Sequence, residues 1–219
     1  MSEETAAKAA AESQAEYVTR ILRDRLVLLE IEPGAPLYDE ALGTELGTGR
    51  TPVREAIKRL EAERLVTIYP RRGTFASPVN LTDLAEVSEI RAELEPLAAS
   101  RAATHASADD RAHMQALIDG FSTLAAEESV TAHLRHDLAV HRSIYAANGN
   151  EHLSEVLTRY GNLSTRIWVV MAGRLANVSA HIGEHVELLA SIIAGDPARA
   201  AERARHHVTS FEEMVRAAL

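Results

Sequence analysis

The chain has 219 residues, no cysteine and a formal net charge of -9 at pH 7. The lack of cysteine excludes disulfide bonds, a thiolate nucleophile and cysteine-ligated zinc, so any metal ligands must be His, Asp or Glu. No apolar run approaches the roughly 20 residues that cross a bilayer, and the first residues, "MSEETAAKAAAESQ", lack the apolar core of an export signal. We therefore expect a cytoplasmic protein in which residues 1–14 form a disordered leader.

The residues after the leader predict helices separated by tight turns, followed by a small hairpin. Apolar spacing from Tyr17 through Ile31 fits a first helix, which the segment "EPGAPL" ends. The segment "YDEALGTELG" predicts a short second helix, and "GTGR" supplies glycines for the corner before a third. The segment "LVTIYPRRGTFASP" predicts two short strands around a Pro-Arg-Arg-Gly turn. This order of elements predicts a winged helix-turn-helix.

The third helix carries an apolar face and a basic face. Thr51 can cap it with Pro52 at the first helical position, or Gly49 can cap it slightly earlier. The residues at core-facing spacing are Val53, Ala56, Ile57 and Leu60. On the opposite side, basic residues recur every four positions, at Arg50, Arg54 and Lys58.

Basic residues are concentrated in this part of an acidic chain. From Arg50 to Arg72 there are seven Lys or Arg and three Glu, a local net charge of +4, whereas residues 81–219 hold twelve Lys or Arg and nineteen Asp or Glu, a net charge of -7. Neutralisation of phosphates supplies much of the affinity for DNA, and Arg pairs with guanine in the major groove. We therefore predict double-stranded DNA as a partner, although a solvated basic surface is the alternative. The predicted contact residues are Arg50, Thr51 and Arg54 on the helix and Arg71, Arg72 and Gly73 on the wing.

The pattern becomes helical almost to the C-terminal end after the hairpin. Helices are predicted at 82–104, 107–127, 130–147, 150–176, 178–194 and 197–217. Asn150 is expected to cap a helix, and Trp168 to pack within the bundle. The predicted fold is therefore mainly α, with a DNA-binding domain at 1–77, a linker at 78–81 and an all-α domain at 82–219.

All ten histidines lie beyond residue 100. Asp137 and His141 are four residues apart, so on a helix they face the same way, as two metal ligands or a surface ion pair would. Further candidates are His181, His185, His206 and His207. Three imidazoles and one carboxylate would suit a divalent ion, Zn²⁺ or Ni²⁺, with Mn²⁺ as a third option. A metal-dependent enzyme is the alternative function, but no base or nucleophile motif accompanies these residues.

Several segments resemble a known family. The stretch "RTPVREAIKRLEAERLV" followed by "PRRGTFA" is similar to the signature of GntR-family bacterial transcription regulators. The stretches "EIRAELEPLAA", "HDLAVHRSIYAANGN", "EHVELLASIIAGD" and "ARHHV" resemble the FCD effector domain of its FadR/VanR-like branch. The resemblance implies a nucleoid-associated homodimer that binds a palindromic operator as a repressor and is not an enzyme. Thr48 and Gly49 in the corner, and Asp39 and Glu40 before it, depart from the family pattern, which bears on the operator sequence and not on the mode of binding.

The resemblance also selects site residues in the helical domain. It completes the ligand set of Asp137 and His141 with His185 and His207, with His206 as the alternative to His207. It implies that the metal lies in a pocket where a small organic acid completes its coordination and thereby alters operator affinity. A carboxylate effector requires a positive partner in such a pocket; the resemblance suggests Arg91, and Arg166 on the long helix is a second candidate.

Overall fold

The structure, a computed structural model, describes residues 12–124, 129–175 and 178–219. It contains two compact units, of which the first ends at Pro78 and the second begins at Val79. Within the described residues, the regular structure is helical apart from one two-stranded sheet, which confirms the predicted mainly α fold class. None of the helices in these ranges combines the length and the apolar character that a membrane span requires.

The first unit consists of three helices followed by a hairpin. Its elements are α1 (Gln14–Val27), α2 (Asp39–Glu45), α3 (Arg50–Ala62), β1 (Val66–Tyr69) and β2 (Gly73–Ala76). The strands are antiparallel, with Val66 opposite Ala76 and Tyr69 opposite Gly73. The winged helix-turn-helix predicted from the sequence is therefore confirmed.

Helix α3 packs its apolar face against α1. The buried residues of α3 are the four predicted ones, Val53, Ala56, Ile57 and Leu60. Its N-cap is Gly49, so the earlier of the two predicted starts is correct and Thr51 lies inside the helix. The close packing of this face leaves the basic face of α3 directed outward.

Helix α1 differs from the prediction at both ends. It begins at Gln14, where Ser13 and Glu16 form a capping box, so the predicted leader is too long at its C-terminal end. Residues 1–11 lie outside the described residues. The helix ends at Val27 instead of Ile31, because Leu29 adopts a left-handed φ of 55° that an α-helix cannot contain.

Two glycines allow the turns that place α3 and the wing. Gly47, between α2 and α3, has a φ of 65°, and Gly73, at the start of β2, has a φ of 108°. L-residues with a side chain rarely adopt such angles. The corner and the wing turn therefore depend on glycine at these positions.

The second unit is a bundle of long helices, as predicted. A 3₁₀ turn (Leu81–Asp83) precedes α4 (Leu84–His105), α5 (Ala108–Leu124), α6 (Val130–Ala147), α7 (Glu151–Met171), α8 (Val178–Ile193) and α9 (Pro197–Ala218). Asn150 caps α7, its side chain accepting a hydrogen bond from the backbone nitrogen of Leu153 at 3.2 Å. Helix α7 ends at Met171 because residues 172–174 form a turn, so the predicted end at 176 was too late. The predicted ends at 127 and 176 themselves fall outside the described residues.

Helix α4 is central in this bundle and packs against α6, α7, α8 and α9. Its buried face includes the small residues Ala98, Ala99, Ala102 and Ala103. Small side chains shorten the distance between packed helices. The close packing brings polar side chains of five helices together inside the bundle.

Candidate functional sites

The basic face of α3 and the tip of the wing are exposed. The side chains of Arg50 and Arg54 are 54% and 65% exposed, and Lys58 also faces solvent. On the wing, Arg71 and Arg72 are exposed and form no ion pair in the part of the chain that the structure describes. Thr51 and Gly73 are exposed as well. All six residues predicted to contact DNA are therefore accessible.

The two arginines of α3 each contact a carboxylate of α2. Arg54 donates a hydrogen bond from Nε to Oδ2 of Asp39 at 2.6 Å, and Arg50 pairs with Glu40. The hydrogen bond from Arg54 lowers the pKa of Asp39 below its ordinary value. Exposed ion pairs of this kind are weak, because water and salt screen them. DNA phosphates and base edges can therefore compete for both guanidinium groups.

Four buried side chains from three helices converge inside the second unit. They are Asp137 and His141 of α6, His185 of α8 and His207 of α9, and none is more than 5% exposed. One ligand atom from each lies within 4.8 Å of the others, and Oδ1 of Asp137 lies 3.6 Å from Nε2 of both His141 and His185. This Asp/His cluster is the predicted ligand set. The alternative, His206, has a side chain that is 62% exposed.

Several polar atoms of the Asp/His cluster have no hydrogen-bond partner among the described residues. These atoms are Oδ1 of Asp137 and both ring nitrogens of His185. Buried polar atoms in folded proteins are almost always paired. Three imidazoles and one carboxylate are suitable ligands for a borderline divalent ion, which would satisfy these atoms. The residues present therefore fit a metal ion.

Two carboxylates contact the outer ring nitrogens of the cluster. Oε2 of Glu95 lies 3.3 Å from Nδ1 of His141, and Oε2 of Glu184 lies 3.0 Å from Nδ1 of His207. A carboxylate only accepts hydrogen bonds, so each Nδ1 carries the proton and Nε2 is left to bind an ion. Neither carboxylate was predicted from the sequence. The only available signals were that Glu95 follows Arg91 by one helical turn and that Glu184 precedes a predicted ligand.

Burial controls the protonation of the imidazoles. It lowers the pKa of His185 well below its ordinary value and lowers the pKa of His207 to about 3. Burial also acts to lower the pKa of His141, but the Glu95 and Asp137 carboxylates together outweigh it and the net pKa is raised. Two of the three imidazoles are therefore neutral near pH 7, and neutral imidazole is the form that binds metal ions.

A small cavity of about 10 Å³, room for about one water-sized group, adjoins the cluster. Its walls consist of Arg91, Asp137, His141, Ser164, Thr165, Trp168, His181, His207 and Phe211. Arg91 is buried and donates from Nε to Oε1 of Glu95 at 2.6 Å, and its Nη1 donates to Ser164. Of the two arginines predicted to contact an effector, Arg91 thus lies in the wall. Arg166 is also buried, but it is not among the described residues that line this cavity.

Comparison with known proteins gives the same two-part organisation. Residues 14–76 match the family described as bacterial regulatory proteins, gntR family, and residues 86–210 match the FCD domain. The HTH-type transcriptional repressor GlaR of Escherichia coli (strain K12) is 28% identical over 202 residues, covering 86% of this chain and 90% of GlaR. The probable D-xylose utilization operon transcriptional repressor of Paenarthrobacter nicotinovorans is 26% identical over 198 residues, covering 89% and 83% of the two chains.

A solved structure shares the fold over nearly the whole chain. E. coli McbR/YncC superposes with a TM-score of 0.76 at 24% sequence identity, over 94% of this chain and 96% of that one. The relatives and both matched families are transcriptional regulators, which rejects the alternative of a metal-dependent enzyme. The chain therefore belongs to the GntR family of bacterial regulatory proteins, with a C-terminal FCD domain, and is a DNA-binding transcriptional regulator.

Proposed function

We propose that this regulator is a homodimeric repressor whose affinity for a palindromic operator is modulated by a small organic acid bound beside a divalent metal ion. The observation that carries the proposal is the buried Asp/His cluster, with its unpaired polar atoms, next to a cavity in the FCD domain. Repression is favoured because two of the relatives are named as repressors.

The metal ion would be held by Asp137, His141, His185 and His207. When bound, it supplies a positive charge that attracts the carboxylate of the acid; Zn²⁺ or Ni²⁺ suits the ligand set, with Mn²⁺ as a third option. Arg91 adds a guanidinium group in the same wall. The contact predicted for Arg166 remains an expectation from the sequence.

The DNA would be bound by the exposed face of α3 and by the wing. Arg50, Thr51 and Arg54 lie at the N-terminal end of α3, the part of a recognition helix that reads base edges in the major groove. The wing residues Arg71, Arg72 and Gly73 would contact the DNA backbone or the minor groove.

The acid changes operator affinity only if it binds one state of the dimer more tightly than another. Three helices contribute metal ligands and two more, α4 and α7, contribute cavity walls. A ligand in the cavity therefore contacts groups from five helices. Small shifts among these helices are the proposed means by which the acid alters the DNA-binding units.

The metal part of the proposal is tested by elemental analysis of the full chain. The proteins compared are the parent, His185→Ala, His207→Ala and the control His206→Ala, which changes the exposed neighbour of a proposed ligand. We expect one divalent ion per chain in the parent and in the control, and loss of most of the ion in the other two, because each supplies one of four ligands. Equal metal content in all four proteins would refute the ligand set.

The regulatory part of the proposal is tested with a DNA duplex that the parent protein selects from a random-sequence library. Acetate, citrate and succinate are titrated into the metal-loaded complex, and DNA binding is followed by fluorescence anisotropy. We expect at least one acid to weaken DNA binding by roughly fivefold or more. The His185→Ala protein should bind the duplex but not respond to the acid, and a response that persists without metal would contradict the proposal.

A further inference from the structure

The two arginines of α3 contact the carboxylates of α2 through different nitrogens. Arg54 donates from Nε to Oδ2 of Asp39 at 2.6 Å, whereas Arg50 contacts Oε2 of Glu40 through Nη2, one of its two terminal nitrogens. Neither terminal nitrogen of Arg54 forms a hydrogen bond among the residues that the structure describes. The contact with Asp39 therefore occupies the inner donor of Arg54 and leaves its terminal pair of nitrogens available.

The terminal nitrogens are the donors that the end of an arginine presents to a base. Guanine exposes O6 and N7 in the major groove, and arginine binds both atoms with two parallel N–H groups. The guanidinium group is planar and carries five such donors, so a carboxylate at Nε does not consume the terminal pair. A side chain that is already held also loses less conformational freedom when DNA binds. The contact at Nε therefore prepares Arg54 for guanine, whereas a contact at a terminal nitrogen, as in Arg50, competes with guanine.

Asp39 is well placed to hold Arg54. It is the first residue of α2, which packs against α3. Its side chain is only 29% exposed, compared with 65% for the side chain of Arg54. The hydrogen bond from Arg54 lowers the pKa of Asp39, so the carboxylate is ionised at neutral pH. A partly buried anion on one helix thus restrains an exposed cation on the next helix.

We propose that Asp39 positions Arg54 for base readout, by holding Nε and directing the terminal nitrogens of the guanidinium group to a guanine of the operator. Asp39 would then determine specificity without touching a base. This inference rests on the proposed function, since it takes Arg54 as a base-reading residue. It also predicts the sign of an effect. Removing a negative charge near DNA normally strengthens binding, because phosphates are repelled less, but removing Asp39 should weaken binding to the operator.

The test measures binding of full-length proteins to the library-selected duplex and to a scrambled duplex by fluorescence anisotropy at fixed salt. The proteins are the parent, Asp39→Ala, Arg54→Ala and the double variant. Glu40→Ala is the matched control, because it removes the neighbouring carboxylate from the same turn of α2. Circular dichroism reports whether each protein is folded. Asp39→Asn, which keeps the shape of the side chain and removes its charge, takes the place of Asp39→Ala if that variant does not fold.

We expect Asp39→Ala to weaken binding to the selected duplex by roughly 3- to 10-fold, a part of the roughly 5- to 150-fold that one Arg–guanine pair provides. Binding to the scrambled duplex should stay the same or become tighter. Glu40→Ala should bind both duplexes at least as tightly as the parent. In the Arg54→Ala background, loss of Asp39 should cause no further weakening, because it acts only through Arg54.

Three results would count against the inference. If Asp39→Ala binds the selected duplex as tightly as the parent or more tightly, charge repulsion outweighs positioning and the inference is overturned. It is also overturned by an equal loss on both duplexes, or by a loss that persists in the Arg54→Ala background, since Asp39 would then have a structural role. Parent-like binding by Arg54→Ala would refute the proposed base contact itself, and the inference with it.

Discussion

Glu95 connects the stability of the FCD domain to the geometry of its site. It is 3% exposed, and it accepts hydrogen bonds from Arg91 at 2.6 Å and from the hydroxyl group of Tyr145 at 2.8 Å. Burial raises the pKa of a carboxyl group, but the charges of Arg91 and His141 and the hydrogen bonds from His141 and Tyr145 together outweigh it here, so the pKa of Glu95 lies far below its ordinary value of 4.5. The ionised carboxylate therefore stabilises both Arg91 and the neighbouring proposed ligand His141.

We expect Glu95→Gln to lower the free energy of unfolding of the metal-free protein by roughly 3–5 kcal/mol at neutral pH, because it leaves Arg91 as an unpaired buried charge. Since folding lowers the pKa of Glu95, its contribution is complete above pH 4.5 and is lost progressively as the pH falls below that value. Urea unfolding, followed by the fluorescence of Trp168, the single tryptophan, measures the difference from the parent at each pH.

The control for this prediction is Glu93→Gln, which changes a carboxylate of the same helix that is 73% exposed. Its effect on unfolding should be small at every pH. A penalty for Glu95→Gln that stays constant from neutral pH to well below pH 4.5 would contradict the assigned role of the ionised carboxylate.

Residue spacing predicted part of the Asp/His cluster but could not complete it. The four-residue interval places Asp137 and His141 on one face of a helix, as two metal ligands or a surface ion pair would. His206 and His207 are adjacent, so they point about 100° apart on a helix, and sequence alone does not say which direction is inward. The packing of α9 on α4 and α8 decides this, because it buries His207 and leaves the side chain of His206 62% exposed.

At the scale of the element, helix α3 is the best predicted part of the chain. Its apolar residues recur at a regular helical interval, and the folded protein buries the same positions that this interval predicts. The exposed face follows by exclusion, because a helix with one buried face directs the other side chains to solvent. The direct contacts from α2 to Arg50 and Arg54 were not predicted, since they depend on how the two helices cross.

We expect Arg54→Ala to weaken binding to the library-selected duplex by roughly 1–3 kcal/mol, the discrimination that one Arg–guanine pair provides. Binding to a scrambled duplex should change much less, because base contacts contribute little there. Arg203→Ala, at a partly exposed arginine of α9, is the control and should affect neither. Fluorescence anisotropy at fixed salt gives both affinities, and parent-like binding of the selected duplex by Arg54→Ala would show that the helix does not read bases through this residue.

Element ends were predicted less well than element positions. The apolar pattern of α1 continues through Leu28, which is 8% exposed, although the helix has already ended at Val27. Periodicity reports which residues are buried, and residues after a helix end can be buried as well. The left-handed backbone at Leu29 is not encoded by hydropathy, so the pattern placed the end too late.

At the scale of the whole molecule, the uneven distribution of charge matters more for DNA binding than the net charge. The chain carries -9 overall, yet residues 50–72 carry +4 on exposed elements. Salt screens exposed charges beyond about 10 Å, so a DNA phosphate at α3 experiences mainly the local positive charge. An acidic protein can therefore bind DNA through its basic region, while its remaining negatively charged surface repels non-specific contact with DNA.

If the regulator is the proposed dimer, we expect its two-fold symmetry to appear in the spacing of the operator half-sites. One recognition helix covers only a few base pairs, so two half-sites should lie about one helical turn, or about 10 base pairs, apart. Inserting about 5 base pairs between the half-sites should reduce affinity at least tenfold, because it rotates the second half-site to the opposite face of the duplex. Anisotropy on both duplexes and analytical ultracentrifugation of the complex measure this, and equal affinity or one bound chain per duplex would contradict a dimer.

The sequence by itself determined the order of elements, the buried and exposed faces of α3, and the family to which the chain belongs, because periodicity and local motifs act over one or two helical turns. Only the tertiary structure decided that Glu95, Glu184, Trp168 and His181 belong to the same site as the Asp/His cluster. These residues lie on three helices, α4, α7 and α8, up to about 90 positions apart in the chain, and their approach depends on close helix packing around α4. Contacts of this kind leave no periodic signal, so the polar interior of the bundle is determined by packing.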